Sequence, residues 1–200
     1  MKFTNGYWLI REGIEAHFAA TAFDAVQNGN ELDVFAPDKP KKTRGDTLNE
    51  CELTVRYSSP MENIIRVRIT HFEGAADGGV HFDLHEADPF GSLPFTPVVS
   101  LPNGTDGELP EAALRAGGLS VRIPLGGSWD VSFCAEGRVL TKCEAKSTGY
   151  MVSKRGGGYR EDPFLEVPQG DKTPPAGTYI KEELTLGVGE WVYGFGERFG

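Results

Sequence analysis

The sequence has few cysteines, no long apolar run and no block of positive charge. Its three cysteines, Cys51, Cys134 and Cys143, are an odd number and none has C-x-x-C spacing. Neither a disulfide framework nor a zinc site is therefore predicted, and we expect reduced thiols in a cytoplasmic protein. No stretch approaches the roughly 18 uninterrupted apolar residues of a membrane span, and residues 1–6 lack the pattern of a secretion signal.

The charge balance is acidic. Twenty basic against twenty-nine acidic side chains give a formal net charge of -9, and the longest basic run is Lys41-Lys42. Such a chain has no long-range attraction to nucleic acid or to an anionic membrane, so neither is expected as a partner. With 39% hydrophobic and 10% aromatic residues, the sequence can form a packed core.

Apolar and polar residues alternate through most of the chain, which is typical of half-buried strands. Turn signals separate the segments, for example Asn28-Gly29-Asn30, which predicts a hairpin. The segment 110–116 could form a short helix, but a tight turn at Gly117-Gly118 favours a strand over 112–116. The segment 15–27 is interpreted as one strand, although its alanines would also suit a helix. About ten short strands without a long helix predict an all-β protein, an antiparallel β-sandwich with little helix.

The last eighteen residues, 183–200, form the most unusual stretch. An alternating apolar run leads into Gly187-Val188-Gly189 and then into an aromatic segment interrupted by Gly194 and Gly196. We interpret this stretch as a sheet edge that brings Glu197 and Arg198 to a rim. Because a folded domain seldom ends directly after such an element, we expect residues 1–200 to be the front part of a longer protein.

Few residues suggest chemistry by their spacing. His71, His81 and His85 lie within fifteen positions and, with Glu197, could supply the acid/base pair of a sugar mutarotase. The alternative is that they are ordinary loop and strand-end histidines, since their spacing fits no ligand or triad pattern. Glycoside hydrolysis needs two carboxylates about 5 to 10 Å apart, and spacing alone selects no pair among twenty-nine acids. No catalytic residue, metal or cofactor is assigned.

Several blocks of the sequence, in the same order, resemble the amino-terminal domain of glycoside hydrolase family 31, in particular its bacterial α-xylosidase branch. The most specific block is 186–199, and the others are 5–10, 67–74, 119–123 with 129–133, and 148–150. The resemblance implies a β-sandwich of the galactose-mutarotase-like type, followed in the family by a (β/α)₈ barrel. That barrel holds the aspartate nucleophile and the aspartate acid/base that cleave α-glycosides with retention. None of the barrel motifs occurs in residues 1–200.

The resemblance also suggests roles for the end of the chain. Glu197 and Arg198, with Phe195 and Phe199, are candidates for the barrel interface or the substrate entrance. An arginine–carboxylate pair can fix a loop bidentately, although a surface ion pair of little consequence is the alternative. The implied partners are a catalytic barrel in the same chain and an α-linked saccharide, and the resemblance leaves room for a homo-oligomer.

Three functional hypotheses follow. The first is a non-catalytic amino-terminal domain of a retaining, α-xylosidase-like α-glycosidase that acts in carbohydrate metabolism. The second is an independent carbohydrate-binding sandwich, which predicts an exposed row of Trp or Tyr; Trp8, Trp129 and Trp191 could stack on sugars or lie in the core. The third is a mutarotase-like isomerase, which predicts that the histidines converge with an acid in one cleft.

Overall fold

The computed structural model describes residues 3–5, 9–48, 50–71, 96–101, 110–153, 177–191 and 193. These residues contain strands and one 3-10 turn, Arg44–Thr47, but no α-helix. The strands, in chain order, are β1 (Thr4–Asn5), β2 (Leu9–Ile10), β3 (Ile14–Phe18), β4 (Asp24–Asn28), β5 (Glu31–Pro37), β6 (Glu52–Ser58), β7 (Arg66–Thr70), β8 (Val98–Ser100), β9 (Glu111–Ala116), β10 (Leu119–Pro124), β11 (Val131–Ala135), β12 (Arg138–Cys143), β13 (Gly149–Ser153) and β14 (Gly177–Lys181).

The strands form two larger sheets and two smaller ones. The order is β4-β5-β6-β7 in a four-stranded sheet and β12-β11-β10-β9-β8 in a five-stranded sheet. A three-stranded sheet has the order β14-β13-β3, and β1 pairs with β2. Every described pairing is antiparallel, which agrees with the predicted class.

One hydrophobic core joins the four-stranded and five-stranded sheets. Alternate residues of their central strands are buried and belong to the same cluster, because successive side chains of a strand point to opposite faces. The Tyr57 ring of β6 lies 6.5 Å, centroid to centroid, from the Phe133 ring of β11. The predicted antiparallel β-sandwich is therefore confirmed. The core members on the central strands are Leu32, Val34, Ala36, Leu53, Val55, Tyr57, Ala112, Leu114, Ala116, Val121, Ile123 and Val131.

Both predicted hairpins are formed. Asn28 pairs with Glu31, so Gly29 and Asn30 make a two-residue turn in which Gly29 has a φ of +60°. Ala116 pairs with Leu119, which confirms a strand over 112–116 in place of a helix. Gly117, at the turn, has a φ of +64°, and a Cβ there would lie 2.6 Å from Glu62 Cγ. The positive φ therefore favours glycine, and a Cβ would also require the exposed Glu62 side chain to move.

The single strand predicted over 15–27 is wrong, because the structure divides it between two sheets. β3 pairs with β13 in the three-stranded sheet, whereas β4 pairs with β5 in the four-stranded sheet. Ala19 and Ala22, in the connection, are buried. Small side chains suit a chain that crosses through the packed region, and alternation alone does not mark where the sheet changes.

The described residues also bear on the predictions about cysteines and membrane spans. Cys51, Cys134 and Cys143 are free and buried, as expected of reduced thiols. No helix in the described part of the chain is long and apolar enough to cross a membrane.

Asp33 and Arg56 form a partly buried ion pair across β5 and β6. Arg56 donates from Nε and Nη2 to the two Asp33 carboxylate oxygens at 2.6 and 2.8 Å. The Asp33 side chain is only 10% exposed, and its hydrogen bonds from Arg56 lower the pKa of the carboxyl group. The pair is therefore a charge-assisted, bidentate contact in a partly desolvated setting.

We expect Asp33→Asn to lower the free energy of unfolding at neutral pH by about 1–2 kcal/mol. A lowered pKa means that the stabilisation is present above the unfolded pKa, near pH 4, and is lost as pH falls through the folded pKa. Wild-type stability, measured by urea unfolding, should therefore fall more steeply below about pH 4 than that of Asp33→Asn. The control is Glu111→Gln, which removes a more exposed cross-strand pair with Arg122 at 2.8 Å and should cost under about 0.5 kcal/mol. Equal costs for the two variants would contradict the prediction.

Candidate functional site

Three aromatic rings form a row where the three-stranded sheet meets the end of β7. His17 on β3 and Tyr150 on β13 are register partners, and their ring centroids are 6.3 Å apart. His71, directly after β7, lies against Tyr150 with ring centroids 4.0 Å apart and an interplanar angle of 34°. We call His17, Tyr150 and His71 the ring row. The row brings together residues that are distant in the sequence.

His17 is held between two carboxylates. Its Nδ1 lies 2.7 Å from Asp38 Oδ2, and its Nε2 lies 3.2 Å from Glu15 Oε1. The Asp38 side chain is 9% exposed and follows the end of β5. These contacts fix the orientation of the imidazole between the sheets, so His17 is placed to support the row.

His71 contacts a thiol at the other end of the row. Cys51 Sγ is 3.5 Å from His71 Nδ1, which also lies 3.3 Å from the Glu52 carbonyl oxygen. A thiol beside an imidazole is the arrangement of a cysteine nucleophile. Burial, together with Asp38 and Glu50, raises the pKa of Cys51 to about 11. Cys51 is therefore a protonated thiol at neutral pH, and the pair is unsuited to nucleophilic catalysis.

Further acidic groups lie close to Cys51. Asp38 Oδ1 and Glu50 Oε1 are buried and have no hydrogen-bond partner among the described residues. Lys41 Nζ contacts Glu52 Oε2, lies 3.8 Å from Glu50 Oε2, and sits 4.5 Å from the centroid of the Phe23 ring. Within the ranges that the structure describes, no three His, Cys, Asp or Glu residues are arranged to hold a metal ion.

An open cleft of about 420 Å³ borders the ring row. It lies between the end of β7 and the pair β13–β14. The described residues around it are two tyrosines, a histidine, two threonines and two isoleucines, and none of these is Asp, Glu, Lys or Arg. The residues that line the cleft are Ile69, Thr70, His71, Tyr150, Thr178, Tyr179 and Ile180.

The residues after β14 lie along the edge of the five-stranded sheet. We call 182–191 the terminal segment. The Glu183 amide donates to the Ser147 carbonyl at 3.0 Å, and the Thr185 amide donates to the Lys142 carbonyl at 2.9 Å. β14 ends at Lys181, and the sheet edge predicted for the start of 183–200 is wrong, since residues 182–191 form no strand. Bonds at Glu183 and Thr185 alone are too few to extend the ladder.

Large apolar side chains are exposed in and beside the terminal segment. Trp191 is 77% exposed and Tyr193 is 84% exposed. Leu184, Leu186 and Val188 are exposed as well. Trp129, by contrast, is buried in the core. Of the two locations left open for the tryptophans, the core therefore holds Trp129, whereas Trp191 lies on the surface.

Only some of the predicted site residues lie in the part of the chain that the structure describes. Glu197, Arg198, Phe195 and Phe199 lie outside the described residues. So do two of the predicted histidines, His81 and His85, and Trp8. His71 is described and joins a group that sequence spacing did not suggest. His17, Asp38, Cys51 and Tyr150 come from separate segments, and only sheet register and the crossing between sheets bring them together.

Comparison with known proteins connects the whole chain to one enzyme class. No protein-family model matches it. An α-xylosidase, XylQ, from Lactiplantibacillus pentosus is 32% identical over 199 residues. An α-xylosidase from Emericella nidulans is 32% identical over 204 residues. Each alignment covers 100% of this chain but only 22% and 24% of the two relatives, respectively. The chain thus spans less than a quarter of the length of these curated relatives.

Proposed function

The chain is related, over its whole length, to part of the α-xylosidases of glycoside hydrolase family 31, and we propose that it is their non-catalytic amino-terminal domain. In this proposal residues 1–200 are one galactose-mutarotase-like β-sandwich within a longer protein. A (β/α)₈ barrel in the same chain hydrolyses an α-linked saccharide with retention. The sandwich supports that barrel and shapes the substrate entrance.

The exposed apolar side chains of the terminal segment are the observation on which this proposal rests. Trp191 and Tyr193 are among the most exposed large side chains described, and Val188 is fully exposed. A run of exposed apolar residues marks an interaction surface more often than a solvated one. A barrel that follows residues 1–200 in the chain would be close in sequence to this surface.

The candidates at the end of the chain extend the same surface. We propose that Glu197 and Arg198, with Phe195 and Phe199, contact the barrel or the entrance of its active site. The aromatic side chains would supply buried area, and the ion pair would fix the backbone of the stretch. Three free cysteines support a reducing, cytoplasmic setting. A role in homo-oligomer formation is part of the proposal.

The main test compares turnover by two chains. The 200-residue chain should not hydrolyse an aryl α-xyloside, whereas a chain that extends through the barrel should. Hydrolysis by the 200-residue chain, repeated with independent preparations, would defeat the non-catalytic assignment.

A second measurement tests the interface. Trp191→Asp should change the stability of the 200-residue chain by less than about 0.5 kcal/mol, because the side chain is exposed. In the extended protein the same substitution should lower stability by about 2 kcal/mol or more and reduce turnover. Leu48→Asp is the matched control, since Leu48 is 74% exposed and belongs to the turn after Arg44–Thr47. Equal behaviour of the two variants in the extended protein would contradict the proposed interface.

A further inference from the structure

We infer that the cleft between β7 and the pair β13–β14 binds a neutral saccharide. The inference adds a binding site to the sandwich itself. It rests on the proposed function only in the choice of sugar, since the ligand class follows from the cleft.

Sheet register places the ligand-facing side chains on one surface. Ile180 pairs with Tyr150, and Thr178 pairs with Val152, so Thr178, Ile180 and Tyr150 share one face of the three-stranded sheet. His71 covers part of the Tyr150 ring from the side of β7. The cleft therefore has a sheet face as its floor and the end of β7, at Ile69 to His71, as a wall.

The chemistry of the lining suits hydroxyl groups and C–H faces. Thr70 and Thr178 provide hydroxyls that both donate and accept hydrogen bonds. Cys51 and the Glu52 carbonyl oxygen lie at His71 Nδ1, which leaves Nε2 as the ring nitrogen that can reach a ligand. Ile69 and Ile180 supply apolar contacts between these polar groups. This mixture of rings, hydroxyls and aliphatic groups fits a sugar ring, which has polar edges and apolar faces.

Charge and size limit the ligand further. None of the described lining residues is Asp, Glu, Lys or Arg, so this part of the lining offers no fixed counterion to an anion or a cation. The formal net charge of -9 also disfavours an anionic ligand. The volume of about 420 Å³ lies within the range of roughly 300–1,000 Å³ that is usual for small-molecule sites. A neutral mono- or disaccharide meets all three conditions.

The test is an NMR titration of the ¹⁵N-labelled 200-residue chain with isoprimeverose, a neutral xylosyl disaccharide. Saturable shifts should appear at residues 69–71, 150 and 178–180, and glucuronate should produce much weaker ones. Thr178→Glu should abolish these shifts while the remaining spectrum stays folded, because Thr178 is exposed and the new carboxylate occupies the cleft. Ile180→Ala should weaken binding by about threefold through loss of an apolar contact. The matched control, Leu186→Ala, removes an exposed aliphatic side chain outside the cleft and should leave affinity unchanged.

Several outcomes would overturn the inference. These are the absence of saturable shifts, shifts confined to residues outside the cleft, equal binding of glucuronate, or unchanged binding by folded Thr178→Glu. The result is separable from the proposed function, because binding is measured without turnover. Saccharide binding without α-xyloside hydrolysis by the extended chain would support the binding site and contradict the glycosidase assignment. Hydrolysis by the extended chain without saccharide binding to the 200-residue chain would support the glycosidase assignment and contradict the binding site.

Discussion

Replacing Trp129 with alanine is expected to lower the free energy of unfolding by about 3–5 kcal/mol. Trp129 is 2% exposed and belongs to the core cluster. Its indole Nε1 donates to Thr148 Oγ1 at 3.1 Å, and its amide donates to the Ala20 carbonyl at 2.9 Å. The substitution therefore removes a large apolar side chain and its hydrogen bond to Thr148, and it leaves a cavity in the core.

Trp191→Ala is the matched control for this measurement. The same substitution is made at a tryptophan that is 77% exposed, so stability should change by less than about 0.5 kcal/mol. Urea unfolding followed by far-ultraviolet circular dichroism measures both variants without relying on tryptophan emission. A cost for Trp129→Ala below about 1 kcal/mol would show that this region of the core can collapse around the lost ring.

Alkaline pH is expected to destabilise the fold by about 3–5 kcal/mol between pH 8 and pH 11. Burial, with Asp38 and Glu50 nearby, raises the pKa of Cys51 from 9.0 to about 11. Burial and Glu182, whose Oε1 is 3.6 Å from the thiol sulfur, raise the pKa of Cys143 to about 12. Burial also raises the pKa of Tyr57 well above its ordinary value. These groups release their protons more readily in the unfolded chain.

The sign of the effect follows from these shifts. A raised folded pKa gives stability that is fully present below the unfolded pKa, near 9, and is lost as pH rises through the folded value. Each unit by which the folded pKa exceeds the unfolded pKa contributes about 1.4 kcal/mol per thiol. Urea midpoints across this range should fall for the wild type. They should fall less for the double variant Cys51→Ala/Cys143→Ala, even though that variant starts lower at neutral pH. Parallel curves would show that the thiols do not cause the loss.

The sandwich could be predicted from the sequence because its central strands alternate clearly. In β6, Leu53, Val55 and Tyr57 are buried and their neighbours are not, as period two requires. The crossing at Ala19 to Ala22 could not be predicted, because alanine is compatible with strand, helix and connection alike. Local pattern describes which face a residue takes, but it does not specify the sheet to which a strand belongs.

The candidate site was predicted less completely than the fold. His71 stood out by its spacing, yet its contacts with Cys51 and Tyr150 depend on long-range register. Side chains separated by tens of residues meet only after the sheets are assembled, and a single sequence contains no local signal of that meeting. The assignments of Glu197 and Arg198 stay predictions.

The bonds from Glu183 and Thr185 to the backbone at Ser147 and Lys142 have a consequence for self-association. β12 is an outer strand of its sheet, and an uncovered outer strand can recruit a strand from another molecule. The residues after β14 cover part of that sheet edge and thereby limit its pairing with strands of other molecules. A chain shortened before residue 182 would therefore be expected to form intermolecular β-structure, even though its core would be intact.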